Sequence, residues 1–152
     1  MSTLPDTIPT IAGFEAWCRA VMGITTTAMP VNDPGFTYAF TFANSLVPAY
    51  MSCIDPTIYT ATVYNLGGSN VLQYQQDQTG QTFFTTARAS YGINSFVAGV
   101  ISSSGDEATS DTFAVGHGLQ NLDLISLQAI KNPYGRQAMA YLQAMGTVWG
   151  SS

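Results

Sequence analysis

Few side chains in this sequence are placed to do covalent chemistry. His117 is the single histidine, and it lies between Gly116 and Gly118. An imidazole acting as a base or metal ligand needs a partner that fixes its tautomer. Nothing beside His117 supplies one, so it reads as an ordinary loop histidine. Serine is plentiful, yet no G-x-S-x-G elbow occurs: Gly67-Gly68-Ser69-Asn70-Val71 fails at its last position. A phosphate-binding loop needs a Gly-Lys step and a dinucleotide site a G-x-G-x-x-G run; both are absent. Asp106, Glu107 and Asp111 cluster, but not at calcium-loop spacing, and as a glycosidase pair they would ride on a mobile tip. Solvating that tip is the role they suit. Cys18 and Cys53 are too few for a disulfide framework or a zinc site. Both fall at helical, buried-looking positions and read as free core thiols. The expectation is a protein with no catalysis, no cofactor and no metal.

Composition narrows the remaining classes. Charged residues are 9% of the chain, against about 25% in an average globular domain. Ser, Thr, Asn and Gln supply the polarity instead. With 12% aromatics, the chain has the means to build a core and is not disordered by charge. A monomer this poor in charge sits near its solubility limit. The surface is therefore expected to be covered by copies of the chain or by partners. Four basic residues, Arg19, Arg88, Lys131 and Arg136, stand against nine acids. Tight binding to DNA or RNA needs clustered Lys and Arg to displace phosphate counterions, so nucleic acid is excluded as a specific ligand.

The elements that would position these residues are mostly helical. A first helix over residues 11–22 places Ile11, Phe14, Trp17, Cys18, Val21 and Met22 on one face, with Glu15 and Arg19 paired on the other. Gly23-Ile24 is a helix stop with its hydrophobic latch. The uncharged stretch that follows organises the chain. A helix over 34–54 carries Phe36, Phe40, Ala43, Val47, Tyr50 or Met51, and Ile54 on one face and Tyr38, Phe42, Leu46, Ala49 and Cys53 on another. Only a strip of small polar residues remains: Thr37, Thr41, Asn44, Ser45 and Ser52. A helix apolar nearly all round must be buried in a core, an interface or a membrane. Pro48 should bend it. Asp55-Pro56 caps and starts the next helix, over 56–66, which Gly67-Gly68 is expected to stop.

Beyond Gly68 the pattern weakens. Residues 69–76 fit a helical turn or a short strand, and Asp77-Gln78-Thr79-Gly80 is a turn. Thr82 caps a helix over 82–91, and Gly92-Ile93 stops it. A β-hairpin or extended flap is predicted over 95–115, with Ser102-Ser103-Ser104-Gly105-Asp106 as its turn. Asn121 starts a helix over 122–131. Asn132-Pro133 starts the last, running to Met145. The fold class is mainly α, a helical bundle of five to six helices with a mid-chain β-hairpin or flap. Residues 1–10 form a flexible N-terminal arm, and 11–150 a single domain. The 34–54 stretch holds Pro48 and several polar groups and lacks flanking Lys or Arg, so a buried helix is favoured over a membrane span. The start of the chain is not a signal peptide.

Several short strings together resemble the head-to-tail adaptor class of tailed-bacteriophage neck proteins, which dock beneath the portal. They are Val21-Met22-Gly23-Ile24, Asp55-Pro56 leading to Tyr64-Asn65-Leu66-Gly67-Gly68, Tyr91-Gly92-Ile93-Asn94, Pro133-Tyr134-Gly135-Arg136 and Trp149-Gly150, spread over most of residues 11–150. The resemblance implies a helical adaptor-like domain in a homo-oligomeric ring, usually of twelve copies, around a channel that conducts DNA without gripping it. It implies a portal protein and tail or stopper proteins as partners, a place in the virion neck after assembly in the host cytoplasm, and neither catalysis nor cofactor. The chain departs from the class in being poorer in charge and richer in aromatics. Interface residues expected on this reading are Trp17, Tyr141 and Trp149 as aromatic anchors. Thr41 and Ser45 lie on the small polar strip, and Phe96, Ser104, Asp106 and Phe113 on the flap. Other neck components (a stopper or tail terminator) remain alternatives. A small-molecule-binding helical module or enzyme is the rival from a different class.

Overall fold

The computed structural model describes residues 7–94, 103–106, 109–112 and 128–146. Among them the chain is mainly helical: α1 (Ile11–Val21), α2 (Pro34–Leu46), α3 (Met51–Ile54), α4 (Pro56–Tyr74), α5 (Phe83–Tyr91) and α6 (Pro133–Gly146). Two four-residue strands, β1 (Ser103–Asp106) and β2 (Thr109–Thr112), pair antiparallel, with Ser104 opposite Asp111 and Asp106 opposite Thr109.

The middle of the bundle is α4, which touches each of the other five helices. It is buried almost all round, from Tyr59 through Val63, Leu66 and Ser69 to Leu72. The sequence places a stop at Gly67-Gly68, but the helix continues to Tyr74. The glycines serve close approach rather than a turn. A Cβ on Gly67 would lie 2.8 Å from the Phe14 ring, and one on Gly68 2.8 Å from the Trp17 ring. The bare backbone of α4 is the floor on which α1 lays its aromatic residues. Phe14 sits at the hub of that cluster, with ring centroids 5.8 Å from Tyr64, 5.9 Å from Phe40 and 6.2 Å from Phe36. Such pairs add roughly 0.5–1.5 kcal/mol each beyond the area they bury.

The long helix expected over 34–54 is two helices. Val47 is extended (φ −75°, ψ 124°), because the residue before a proline is driven out of the helical region. Pro48 therefore ends α2 at Leu46 instead of bending it, and α3 restarts at Met51. Within this stretch Phe36, Ala39, Phe40, Ala43, Val47 and Met51 are buried. The opposite apolar face is not buried within the chain, and Cys53 is exposed. Its place as a core thiol is thus corrected: it lies on the outward side of α3.

Local stop and start signals do their predicted work. Gly23 has φ +71°, and the Ile24 amide donates to Cys18 O, closing a left-handed helix end with Ile24 buried under it. Asp55 Oδ1 accepts from the Thr57 and Ile58 amides at 2.9 and 3.0 Å. Gly92 ends α5 with φ +64°. Asn132 is wholly buried. Its Oδ1 accepts from Gly135 N at 2.9 Å and its Nδ2 donates to Ser69 Oγ at 2.9 Å, so one side chain caps α6 and ties it to α4.

Two other predicted details change. Thr82 makes no side-chain cap at α5. Asp77 does the capping from the preceding turn, accepting from Phe84 N at 2.7 Å and Thr85 N at 2.9 Å. The run Ser103-Ser104-Gly105-Asp106, expected as a turn, is strand β1, and only residues 107–108 separate it from β2. Turn-forming side chains were outweighed by the gain from a backbone ladder. The rest of the flap, the predicted helix up to residue 127 and the first six residues of the arm lie outside the described residues. At the arm's described end, Thr10 is the N-cap of α1, and the Tyr64 hydroxyl holds its amide at 3.2 Å. Lys131 Nζ donates to Ile93 O at 3.3 Å, so the chain near the end of α5 lies beside the approach to α6.

Candidate interaction surface

The side of α2 not packed in the core exposes Tyr38, Phe42 and Leu46, four residues apart; beyond the helix break at Val47-Pro48, Tyr50 and Ile54 are exposed as well. Their exposures run from 40% at Phe42 to 61% at Tyr38. Tyr38 and Phe42 stack with centroids 6.3 Å apart and planes 7° from parallel. Thr37, Thr41 and Ser45 form the adjoining row and are exposed. Ser45 Oγ donates back to Thr41 O at 2.8 Å, so this row is small and asks little of a partner.

A groove of about 230 Å³ opens beside Tyr38, between the start of α2 and the end of α4. A wider cleft of about 680 Å³ lies along α1 against the 26–32 loop. Its charged groups are already engaged. Arg19 pairs with Glu15 at 2.9 Å and donates to Ile24 O, Thr25 O and Pro30 O. Its guanidinium also lies 5.0 Å from the Phe36 ring centroid, and Glu15 Oε2 accepts from Asn32 N. Arg19 is a bracket for the loop, with no donor aimed at a ligand.

Of the residues singled out from sequence, Thr41 and Ser45 stand on the outer side of α2. Trp17 is half-buried and turned inward, 6.2 Å from Tyr64 and 5.8 Å from Tyr134. Tyr141 is half-buried on α6. Ser104 and Asp106 fall in β1, on neither helix that forms the strip. Phe96, Phe113, Trp149 and His117 lie outside the described residues. Cys18 is buried on the inner face of α1, and that burial drives its thiol far above the ordinary value, leaving it unreactive. No group of three or more His, Cys, Asp or Glu side chains among the described residues could hold a metal. No described helix is long and apolar enough to cross a membrane.

Sequence reasoning placed Tyr38, Phe42 and Leu46 on a second apolar face and Tyr50 or Met51 and Ile54 on the first, and took the whole helix as covered by a core, an interface or a membrane; the structure leaves Tyr38, Phe42, Leu46, Tyr50 and Ile54 exposed within the chain. The usable signal was their four-residue spacing beside a row of small polar residues. The chain matches no protein-family model, no curated protein and no solved structure.

Proposed function

We propose that this chain is a structural assembly protein and, within that class, a head-to-tail adaptor of a tailed bacteriophage, built into a ring between portal and tail. The observation that carries the assembly reading is the exposed row of Tyr38, Phe42, Leu46, Tyr50 and Ile54. Apolar patches of this kind on soluble chains serve as contact sites. Low charge supports the same role, since the chain gains solubility by being covered. A channel for DNA should not hold phosphates. Twelve copies at −5 give a ring of about −60, which repels the DNA backbone. The flap over 95–115 is the arm that docks on a neighbour or tail component, its strands adding to a partner's sheet. The completed ring belongs to the virion neck.

The test is co-purification from a mixed sample of virion proteins, with images of the resulting particle. A ring bound to the portal is the expected result. A chain that remains monomeric beside every virion protein, and turns over a small molecule, would sink the proposal.

A further inference from the structure

The 230 Å³ groove between the start of α2 and the end of α4 has Gly35, Tyr38, Tyr74 and Gln75 among its walls. Tyr38 and Tyr74 are each more than half exposed, and Phe42 lies parallel to the Tyr38 ring and steadies it. At Gly35 the wall is bare. A Cβ there would lie 3.0 Å from Asp33 Oδ1 and would overlap Gln75 Oε1, so two acceptor oxygens flank one point of the wall. Asp33 Oδ1 accepts from Gly35 N at 2.8 Å and so caps α2. Among the described residues nothing donates to Asp33 Oδ2.

This chemistry defines an occupant. Pockets for cofactors and drug-sized ligands run about 300–1,000 Å³, so the groove is sized for the end of one side chain. Tyrosine faces attract cations through the ring quadrupole. A carboxylate adds a full negative charge and accepts the strong hydrogen bonds that ammonium and guanidinium groups donate. An anion would meet Asp33 with like charge. The Arg88 guanidinium bonds the Gln75 carbonyl at 2.7 Å, but Asp77 answers it, since the Arg88 charge helps hold that carboxyl below its ordinary value. The charge left to the groove is that of Asp33, and it calls for a cation. Arg19, Arg88 and Lys131, three of the chain's four basic residues, already bond carbonyls within it. The cation therefore comes from a different protein. Tyr38 belongs to both the groove wall and the exposed row, so a partner that covers the row reaches the groove.

We infer that the groove receives a lysine or arginine side chain of a partner protein, with the Asp33 carboxylate as counter-charge and the rings of Tyr38 and Tyr74 beside it. The inference rests on the reading of the α2 row as an assembly surface, but its first test needs no assembly. The full chain is titrated at constant ionic strength with n-butylammonium, with n-butylguanidinium and with 1-pentanol as the neutral counterpart, and amide shifts are followed by NMR. Both cations should give saturable shifts at Gly35 and Gln75, and 1-pentanol should not. Asn caps a helix as well as Asp does, so Asp33→Asn should melt like the parent and bind the cations about tenfold more weakly. Tyr74→Leu, at an exposed position, should weaken them about threefold. Binding of 1-pentanol as tight as that of the cations overturns the inference, as do Asp33→Asn and Tyr74→Leu variants that both bind like the parent. A chain that assembles with virion proteins yet shows no cation shifts loses the groove and keeps the surface. Cation binding by a chain that assembles with nothing would assign the groove to a free organic cation and overturn the partner's side chain.

Discussion

Cys18 and Cys53 carry the same thiol into opposite surroundings. Cys18 is sealed under α1 with its ionisation pushed far up, while Cys53 is exposed on α3. Alkylation of the native protein should label Cys53 and spare Cys18 until the chain unfolds, which mass spectrometry of the two peptides would read directly. Asp77 is a second residue with a measurable consequence. Desolvation pushes its carboxyl up. The Thr85 hydroxyl, the Phe84 and Thr85 amides and the Arg88 charge outweigh that and hold it below the ordinary value. A carboxylate so lowered stabilises the fold fully above its unfolded value of 3.8, and the contribution is lost as pH falls through the lower folded value. Asp77→Asn should therefore flatten the acid limb of the melting temperature against pH and leave its slope near neutrality unchanged.

At the scale of elements, the meaning of glycine separates what the sequence could show from what it could not. Gly23 and Gly92 were legible as helix stops because each is followed by an isoleucine that latches the end, a signal complete within a few residues. Asp55-Pro56 and Asn132-Pro133 were legible for the same reason. Gly67-Gly68 lacks that isoleucine latch, being followed by Ser69, and its reason is the aromatic rings of α1, some fifty residues earlier. Nothing within the span of α4 announces them. The exposed row on α2 was illegible for a related reason: whether an apolar face is covered depends on where other helices lie. Of the candidate site, sequence located Thr41 and Ser45 and grouped Tyr38, Phe42 and Leu46 as an apolar face, but not that the chain itself leaves that face uncovered. The packing account of Gly68 is open to a direct check. Overpacking of a tight core costs about 1–3 kcal/mol, against roughly 1 kcal/mol gained by replacing a helical glycine with alanine. Gly68→Ala should lose about 1 kcal/mol net in chemical denaturation. Adding Trp17→Leu should recover part of it, giving a coupling energy that independent sites would lack.

For the whole molecule, the scarcity of charge sets the response to salt. Glu15–Arg19 is an ion pair of the described residues, and an exposed or half-buried pair contributes about 0–1 kcal/mol. Monomer stability should therefore hold nearly constant as salt rises. Self-association should behave differently, because it brings together chains of net charge −5. Shortening the Debye length from about 30 Å at 0.01 M to about 8 Å at 0.15 M should strengthen association through an uncharged face. Weakening with salt would instead mean that ion pairs hold the copies together.

Lys131 Nζ donates to the Ile93 carbonyl at 3.3 Å, which ties the end of the first described helical segment to the start of the last. Chain that leaves and returns at one place costs the frame little to lengthen or shorten, since loop closure varies only slowly with length. A short Gly-Ser bridge in place of 95–127 should preserve the helical circular dichroism of α1–α5 and α6. The helices would then be a chassis, and the stretch between them an exchangeable cassette that descendants of this chain can rewrite without rebuilding the machine that carries it.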